Sequence, residues 1–272
     1  MNRIIIGKFL SVISYSLCLL LSISLYAQTN NTSMKKAPNM VVHGTPTTAA
    51  HRPYQVMLLM NGQQGCGGTL IDANWVLTAA HCVEQANTYN LTVRVGATRV
   101  TGWEGNTIQV NQIIIHPNWM GQQNIRNGWD IALLQLVYPA DARYTPAKLP
   151  TREVMENAAT VGKYGTVSGW GATYYGGRGT DQLLAAELKV IDNQSCSQQL
   201  RFQIPFSAIC AGNAYGASAC NGDSGGPFVV NYGGDFYSIG IVSWGERCMS
   251  SSVFTKTYSY NNWIIAQTGI SH

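Results

Sequence analysis

Acidic residues are missing from the first 40 positions of this 272-residue chain, which carry Arg3, Lys8, Lys35 and Lys36 but no aspartate or glutamate. The whole chain has 17 Lys+Arg and 13 Asp+Glu, so the formal +4 resides in that stretch and the remaining 13 basic residues balance the 13 acids. A near-neutral body leaves no electrostatic footprint for nucleic acid or an anionic surface. Beyond residues 9–27 no stretch is apolar for long enough to span a bilayer. No two cysteines stand at C-x2-C spacing, which argues against a zinc site. The chain has no internal repeat and no low-complexity tract. Its body also lacks the alternation of strand-like and helix-like segments that a parallel α/β sheet requires. Histidine is scarce, at five, which narrows the choice of a general base.

The basic N-terminus is followed by an apolar run, 9–27, that ends "SLYA". This pattern predicts a signal peptide over 1–27, cut after Ala27. Leu17 before Cys18 argues against a lipoprotein cut. Residues 28–40, "QTNNTSMKKAPNM", are polar and aperiodic and read as a leader. Secretion is therefore expected: extracellular, or periplasmic in a bacterium. Removing Cys18 with the signal leaves Cys66, Cys82, Cys196, Cys210, Cys220 and Cys248. An even set behind a signal peptide implies disulfides. Spacing alone leaves all 15 pairings open.

From residue 41 the apolar segments are short, rich in Val, Ile and Leu, and separated by Gly and Asn. Examples are "YQVMLLM" (54–60), "LTVRVG" (91–96), "IALLQLV" (131–137) and "FYSIGIVSWG" (236–245). Their recurrence predicts an all-β sandwich or barrel. Only 258–270, "YSYNNWIIAQTGI", has helical spacing. The Pro-bearing stretch 138–151 reads as a linker between two β-rich halves.

In "CNGDSGGP" (220–227) a serine stands beside a carboxylate among glycines. As a nucleophile, Ser224 needs a base to take its proton and a third group to hold that base in the right tautomer. His81 in "LTAAHC" (77–82) follows an apolar run and is pinned by Cys82. His116, before a proline at a strand end, reads as a surface turn. His43, His51 and the terminal His272 lack anchoring. Asp130 opens the apolar run "DIALLQL" (130–136), where a buried carboxylate is costly unless paired. The N–H groups of Gly222 and Ser224 are spaced to hold an oxyanion, because glycine lets the backbone bend between them. "GDSGG" also fits the G-x-S-x-G elbow of α/β-hydrolases. That elbow needs an acid and then a histidine after the serine, and only His272 follows Ser224.

With "VVHG" (41–44), "LTAAHC", "DIALLQL", "SGWG" (168–171), "CAG" (210–212), "CNGDSGGP" and "SWG" (243–245), the chain from Val41 onward resembles the chymotrypsin/trypsin-like (S1) serine peptidases. The resemblance implies two six-stranded antiparallel β-barrels with a C-terminal helix, over 41–145 and 146–272. It implies a triad of His81, Asp130 and Ser224 in the cleft, and Ser243 bonded to Asp130. It implies disulfides Cys66–Cys82, Cys196–Cys210 and Cys220–Cys248. It also implies a zymogen, in which cleavage before Val41 frees an α-amino group that pairs with Asp223.

The chain departs from the family at several points. Met40, not Arg or Lys, precedes Val41. The family's calcium loop would fall near 97–107, where Glu104 is the one carboxylate, so neither metal nor cofactor is expected. Ser218 stands where trypsin-like members carry the pocket-floor Asp, and Ala219 follows it. Trp244 and Gly245 leave one wall open, and Ser252 is expected to narrow the other. The pocket therefore implies medium-to-large apolar residues on the acyl side of the cut bond. Arg247 keeps an acidic preference as an alternative, with Glu246 beside it. The expected partners are protein or peptide substrates and protein protease inhibitors, bound by a monomer with no stable membrane association. The rival function is a non-catalytic binding protein on the same scaffold.

Overall fold

In short strands one face must meet a core, and "LTVRV" does this: it forms strand β5 (Leu91–Val95), in which Leu91, Val93 and Val95 are buried and Thr92 and Arg94 are half-buried. A computed structural model describes residues 41–212, 216–249 and 251–270. The signal peptide, the leader and its cleavage points lie outside these residues.

Strand β1 (Thr45–Pro46) is followed by β2 (Gln55–Met60), β3 (Gln63–Asp72) and β4 (Trp75–Thr78), then by β5, β6 (Asn106–Ile115) and β7 (Ala132–Leu136). Strands β2 to β7 close into an antiparallel barrel in the order β2-β3-β4-β7-β6-β5. The β2–β3 turn is Asn61–Gly62, with both residues at positive φ (50° and 78°), which matches the twist of a two-residue hairpin. Register shifts at Leu58/Leu59, Leu70/Asp72 and Val110/Gln112 bend the strands so that the sheet can close.

The second barrel comprises β8 (Tyr164–Gly169), β9 (Leu184–Ile191), β10 (Ala208–Gly212), β11 (Pro227–Tyr232), β12 (Asp235–Gly245) and β13 (Ser252–Lys256). Their order is β9-β10-β13-β12-β11-β8, and β8 pairs back onto β9 along six residue pairs to complete the ring. Each barrel has its own apolar core, one centred on Leu70, Val93 and Leu134, the other on Phe228 and Phe254, whose rings stack 4.3 Å apart.

The two ends of the described chain cross over. Val41 is buried in the core of the second barrel, and Thr45–Pro46 pair with β9. The C-terminal helix, preceded by a 3-10 turn (Thr257–Tyr260), sends Tyr260 and Ile264 against Ile71, Trp75 and Leu133 of the first barrel. The same packing overturns the expected surface turn at His116. That ring is buried among Trp129, Tyr260 and Trp263, and burial pushes its pKa down.

Among the described residues four short α-helices complete the fold: α1 (Ala80–Val83), α2 (Arg152–Ala158), α3 (Asn193–Leu200) and α4 (Asn261–Thr268). Only α4 was visible as a periodic pattern. Helices α2 and α3 start where Thr151 and Asp192 accept from the N–H groups of Val154 and Ser195, as N-caps do. The inter-barrel stretch contains no strand, but it is packed down: Ala147 and Leu149 are buried. All three disulfides implied by the resemblance are formed.

Candidate active site

Asp130 sits one residue before the buried run that becomes β7, and it is fully buried. A carboxylate in that position must find donors, and three reach its side chain. Oδ1 accepts from the main-chain N–H of His81 at 2.9 Å; Oδ2 accepts from His81 Nδ1 at 2.8 Å and from Ser243 Oγ at 2.6 Å. Thr255 Oγ1 donates to the Asp130 carbonyl at 2.8 Å. A carboxylate can only accept, so Nδ1 of His81 carries a proton, which in the neutral ring leaves the lone pair on Nε2. His81 itself rides on the single turn α1, tied to β3 by the Cys66–Cys82 disulfide.

Ser224 lies in the turn that leads into β11, where hydrogen bonds and close approaches set the backbone. Its carbonyl accepts from Gly67 N of the first barrel at 2.8 Å. A Cβ on the next residue, Gly225 (φ +74°), would lie 2.2 Å from Thr78 Oγ1 and 2.7 Å from the Gly67 carbonyl, so the barrels can approach only because that atom is missing. Gly222 adopts φ +96°, a region closed to residues with side chains. The Asn221 carbonyl accepts from Ala172 N at 2.7 Å, and the Asp223 carbonyl accepts from Gly226 N at 2.9 Å. In a trans peptide the N–H points opposite to the C=O. Those two bonds therefore turn the Gly222 and Ser224 N–H groups the other way. Among the described residues neither N–H has a protein acceptor. Gln64 Nε2 donates to the Gly222 carbonyl at 3.1 Å and holds that residue from a further side.

His81 and Ser224 line one cavity of about 350 Å³. They are not hydrogen-bonded to each other; in ligand-free sites such bonds are often long and tighten when substrate binds. Ala219, Cys220, Val242, Ser243, Trp244 and Gly245 supply further wall. Gln122 and Ile125, from a 3-10 segment (Gln122–Asn127), complete it; nothing in the sequence pattern pointed to these two. Among the described residues no acid or lysine lines this cavity.

Ser218, expected at the pocket floor, and Ser252, expected on a wall, are buried and are not among the residues that line the cavity. Ser218 is buried and donates to the Cys248 carbonyl at 2.8 Å, while Ser252 Oγ accepts from Ala219 N at 3.0 Å. Ser252 thus braces the wall and does not narrow the cavity. Glu246 and Arg247 are exposed and stand off the wall.

Asp223 is fully buried. It accepts from Gly171 N at 2.8 Å and Cys220 N at 3.0 Å, and no cation pairs with it among the described residues. Burial raises its pKa to about 6, and the two N–H groups offset part of that shift. Val41 is also fully buried, and Val42 bridges to Ser218.

Among the described residues neither candidate set suits a metal. Glu104 Oε2 accepts from the N–H groups of Thr98 and Arg99. The one described group of three potential ligands is Cys66, His81 and Cys82. Its sulfurs are joined to each other and are not thiolates.

Residues 41–264 match the family model described as Trypsin. The chain is 35% identical over 251 residues to mouse vitamin K-dependent protein C, covering 85% of this chain and 53% of that protein. It is 35% identical over 244 residues to the rat protein, covering 84% and 52%. It is 34% identical over 247 residues to trypsin of Phaedon cochleariae, covering 86% of this chain and 90% of that one. The chain thus spans about half the length of the two protein C relatives and nearly the whole of the beetle trypsin.

Proposed function

Because this chain belongs to the trypsin family of serine peptidases, we propose that it is a secreted serine endopeptidase made as a zymogen. The observation that carries this reading is the shared Oδ2 of Asp130: one buried carboxylate oxygen holds both His81 and Ser243, beside the cavity onto which Ser224 opens.

In the proposed reaction Ser224 Oγ attacks the scissile carbonyl while His81 Nε2 takes its proton. Asp130 keeps the imidazole oriented and stabilises the imidazolium that forms. The Gly222 and Ser224 N–H groups receive the oxyanion; one such donor is worth ~2.7–4 kcal/mol of barrier. His81 then protonates the leaving amine, and water repeats the sequence on the acyl-enzyme. Past Ile241, β12 has lost its β11 partner and keeps only β13. Ser243–Gly245 therefore present a free edge on which an extended peptide can lie as an added strand.

Among the described residues the cavity is lined by no Asp, Glu, Lys or Arg, and the hydroxyl of Ser218, the residue before the lining Ala219, is already committed to the Cys248 carbonyl. An Arg or Lys would be desolvated there without a partner. This supports a preference for medium-to-large apolar residues.

Activation by cleavage before Val41 is supported by two features. Asp223 is a buried acid with no cation beside it among the described residues. Val41 is β-branched yet held at φ +42°, a region that such residues avoid. That dihedral is defined by the bond to residue 40, so cutting the bond removes the strain and supplies an α-ammonium to the same interior. Six cysteines in three disulfides suit an oxidising compartment.

The test is fluorophosphonate labelling and casein hydrolysis by the processed protein and by Ser224→Ala. Labelling at Ser224, with turnover lowered at least ~10³-fold in the variant, is the expected result. Equal turnover by a folded Ser224→Ala protein would remove Ser224 from the mechanism.

A further inference from the structure

We propose that Arg126 selects substrates, favouring an acidic side chain two to four residues before the cut bond. This rests on the peptidase reading above. Arg126 belongs to the 3-10 segment whose Gln122 and Ile125 line the cavity. Its guanidinium carbon lies 4.9 Å from the Trp244 ring centroid and 5.1 Å from that of Phe202. Those rings meet edge to face at 5.9 Å. Three parts of the chain, 122–127, β12 and the turn after α3, thus converge on one aromatic seat, and a cation sits on it.

The seat adjoins the proposed cleavage site. Trp244 is itself a wall of the cavity. The residue that gives up its carbonyl places its side chain in that cavity, so the residues before it run along the free edge Ser243–Gly245 and over Trp244. Arg126 is exposed. It takes part in none of the described ion pairs and donates no described hydrogen bond.

An arginine held by ring faces is fixed in place without using its N–H groups. Its five donors remain available, in the planar fork that matches a carboxylate. Because the guanidinium covers the aromatic faces, a phenyl or alkyl side chain cannot stack on them. The same residue therefore attracts acids and excludes apolar groups, and both effects should vanish together when it is removed.

The experiment uses the full chain after leader removal. Fluorogenic peptides keep one apolar residue at the cut bond and vary the second, third and fourth positions before it among Glu, Gln, Phe and Lys. At one of these positions the wild type should cut the Glu peptide roughly three- to tenfold faster in kcat/KM than the isosteric Gln peptide. The ratio should shrink as salt is raised. In Arg126→Ala the Glu/Gln ratio should fall to about one, while the Phe/Gln ratio rises as Trp244 and Phe202 are uncovered. A wild type with no Glu/Gln discrimination at any of the three positions, or an Arg126→Ala profile equal to wild type, overturns the proposal. Cleavage of the all-Gln peptide keeps the peptidase reading in place in either case. If the processed wild type cuts no peptide and resists fluorophosphonate, both readings fall.

Discussion

Ser243 Oγ and His81 Nδ1 donate to the same oxygen of Asp130, at 2.6 Å and 2.8 Å. Ser243 comes from the second barrel, and the other two residues come from the first. The imidazole is thus held by an acid that is itself held from across the barrel interface. Removing Ser243 leaves a buried carboxylate short of one donor. A hydrogen bond to a charged group is worth ~1.5–3 kcal/mol, which corresponds to roughly 10- to 100-fold. Ser243→Ala should lower kcat by about that factor with KM little changed, because substrate binding does not depend on the aim of the imidazole. Steady-state kinetics on a peptide with an apolar residue at the cut bond measure the split. A change confined to KM would show that Ser243 acts only as cavity wall.

Asp130→Asn keeps shape and removes charge. An amide facing Nδ1 can present its N–H₂, which turns the histidine to the tautomer with its proton on Nε2. That nitrogen then cannot accept the Ser224 proton. The expected loss is ~10⁴-fold in kcat near neutral pH, with the melting temperature shifted by only a few degrees. If turnover falls less than tenfold, Asp130 does not set the tautomer.

Gly225→Ala tests the contact between the barrels. The added methyl would meet Thr78 Oγ1 at 2.2 Å and the Gly67 carbonyl at 2.7 Å, at φ +74°. Neither a buried strand backbone nor the Ser224 turn can yield without moving the Ser224 side chain. The variant should lose at least ~2 kcal/mol of stability in urea unfolding, and fluorophosphonate labelling should be lost even in the fraction that remains folded. Wild-type labelling would mean that the turn tolerates displacement.

How much of this was legible in the sequence depended on whether the cause was local. Ser224 and Gly222 lie two residues apart, and a proposed nucleophile with its oxyanion donors accounts for their types; Asp223 was legible only through the family resemblance. Asp130 was legible because a carboxylate opening a buried strand is expensive. The cores were legible as alternation, and β5 follows it residue by residue. Long-range packing was not. His116 is enclosed by an α4 contact from Trp263, more than a hundred residues away, and nothing in "IIIHPNW" encodes that. Gln122 and Ile125 reach the cavity on a 3-10 segment kinked at Asn124, which has no period to detect. Helices α2 ("REVMENA") and α3 ("NQSCSQQL") carry too few apolar residues for an amphipathic stripe to stand out; their caps were the available signal. The direction in which Ser252 points depends on Ala219, 33 residues earlier.

The pH dependence of stability tests the proposed activation switch, because its sign should reverse on cleavage. In the uncleaved chain burial raises Asp223 from 3.8 to about 6. Between those values the native state holds a proton that the unfolded chain has lost. More protons on the native side mean that stability is greatest below about 4 and falls as pH rises through about 6. The loss amounts to roughly 3 kcal/mol. After cleavage before Val41, an ammonium beside Asp223 favours the ionised carboxylate and lowers its pKa, so the contribution is retained above the unfolded value and is lost as pH falls. The measurement is urea unfolding between pH 4 and 7 of Ser224→Ala protein, cleaved and uncleaved, each referred to its Asp223→Asn counterpart to isolate this one group. The uncleaved pair should show a decline with rising pH, and the cleaved pair a rise or a plateau. Two parallel curves would mean that the new terminus does not reach Asp223, and the switch would have to work by another route.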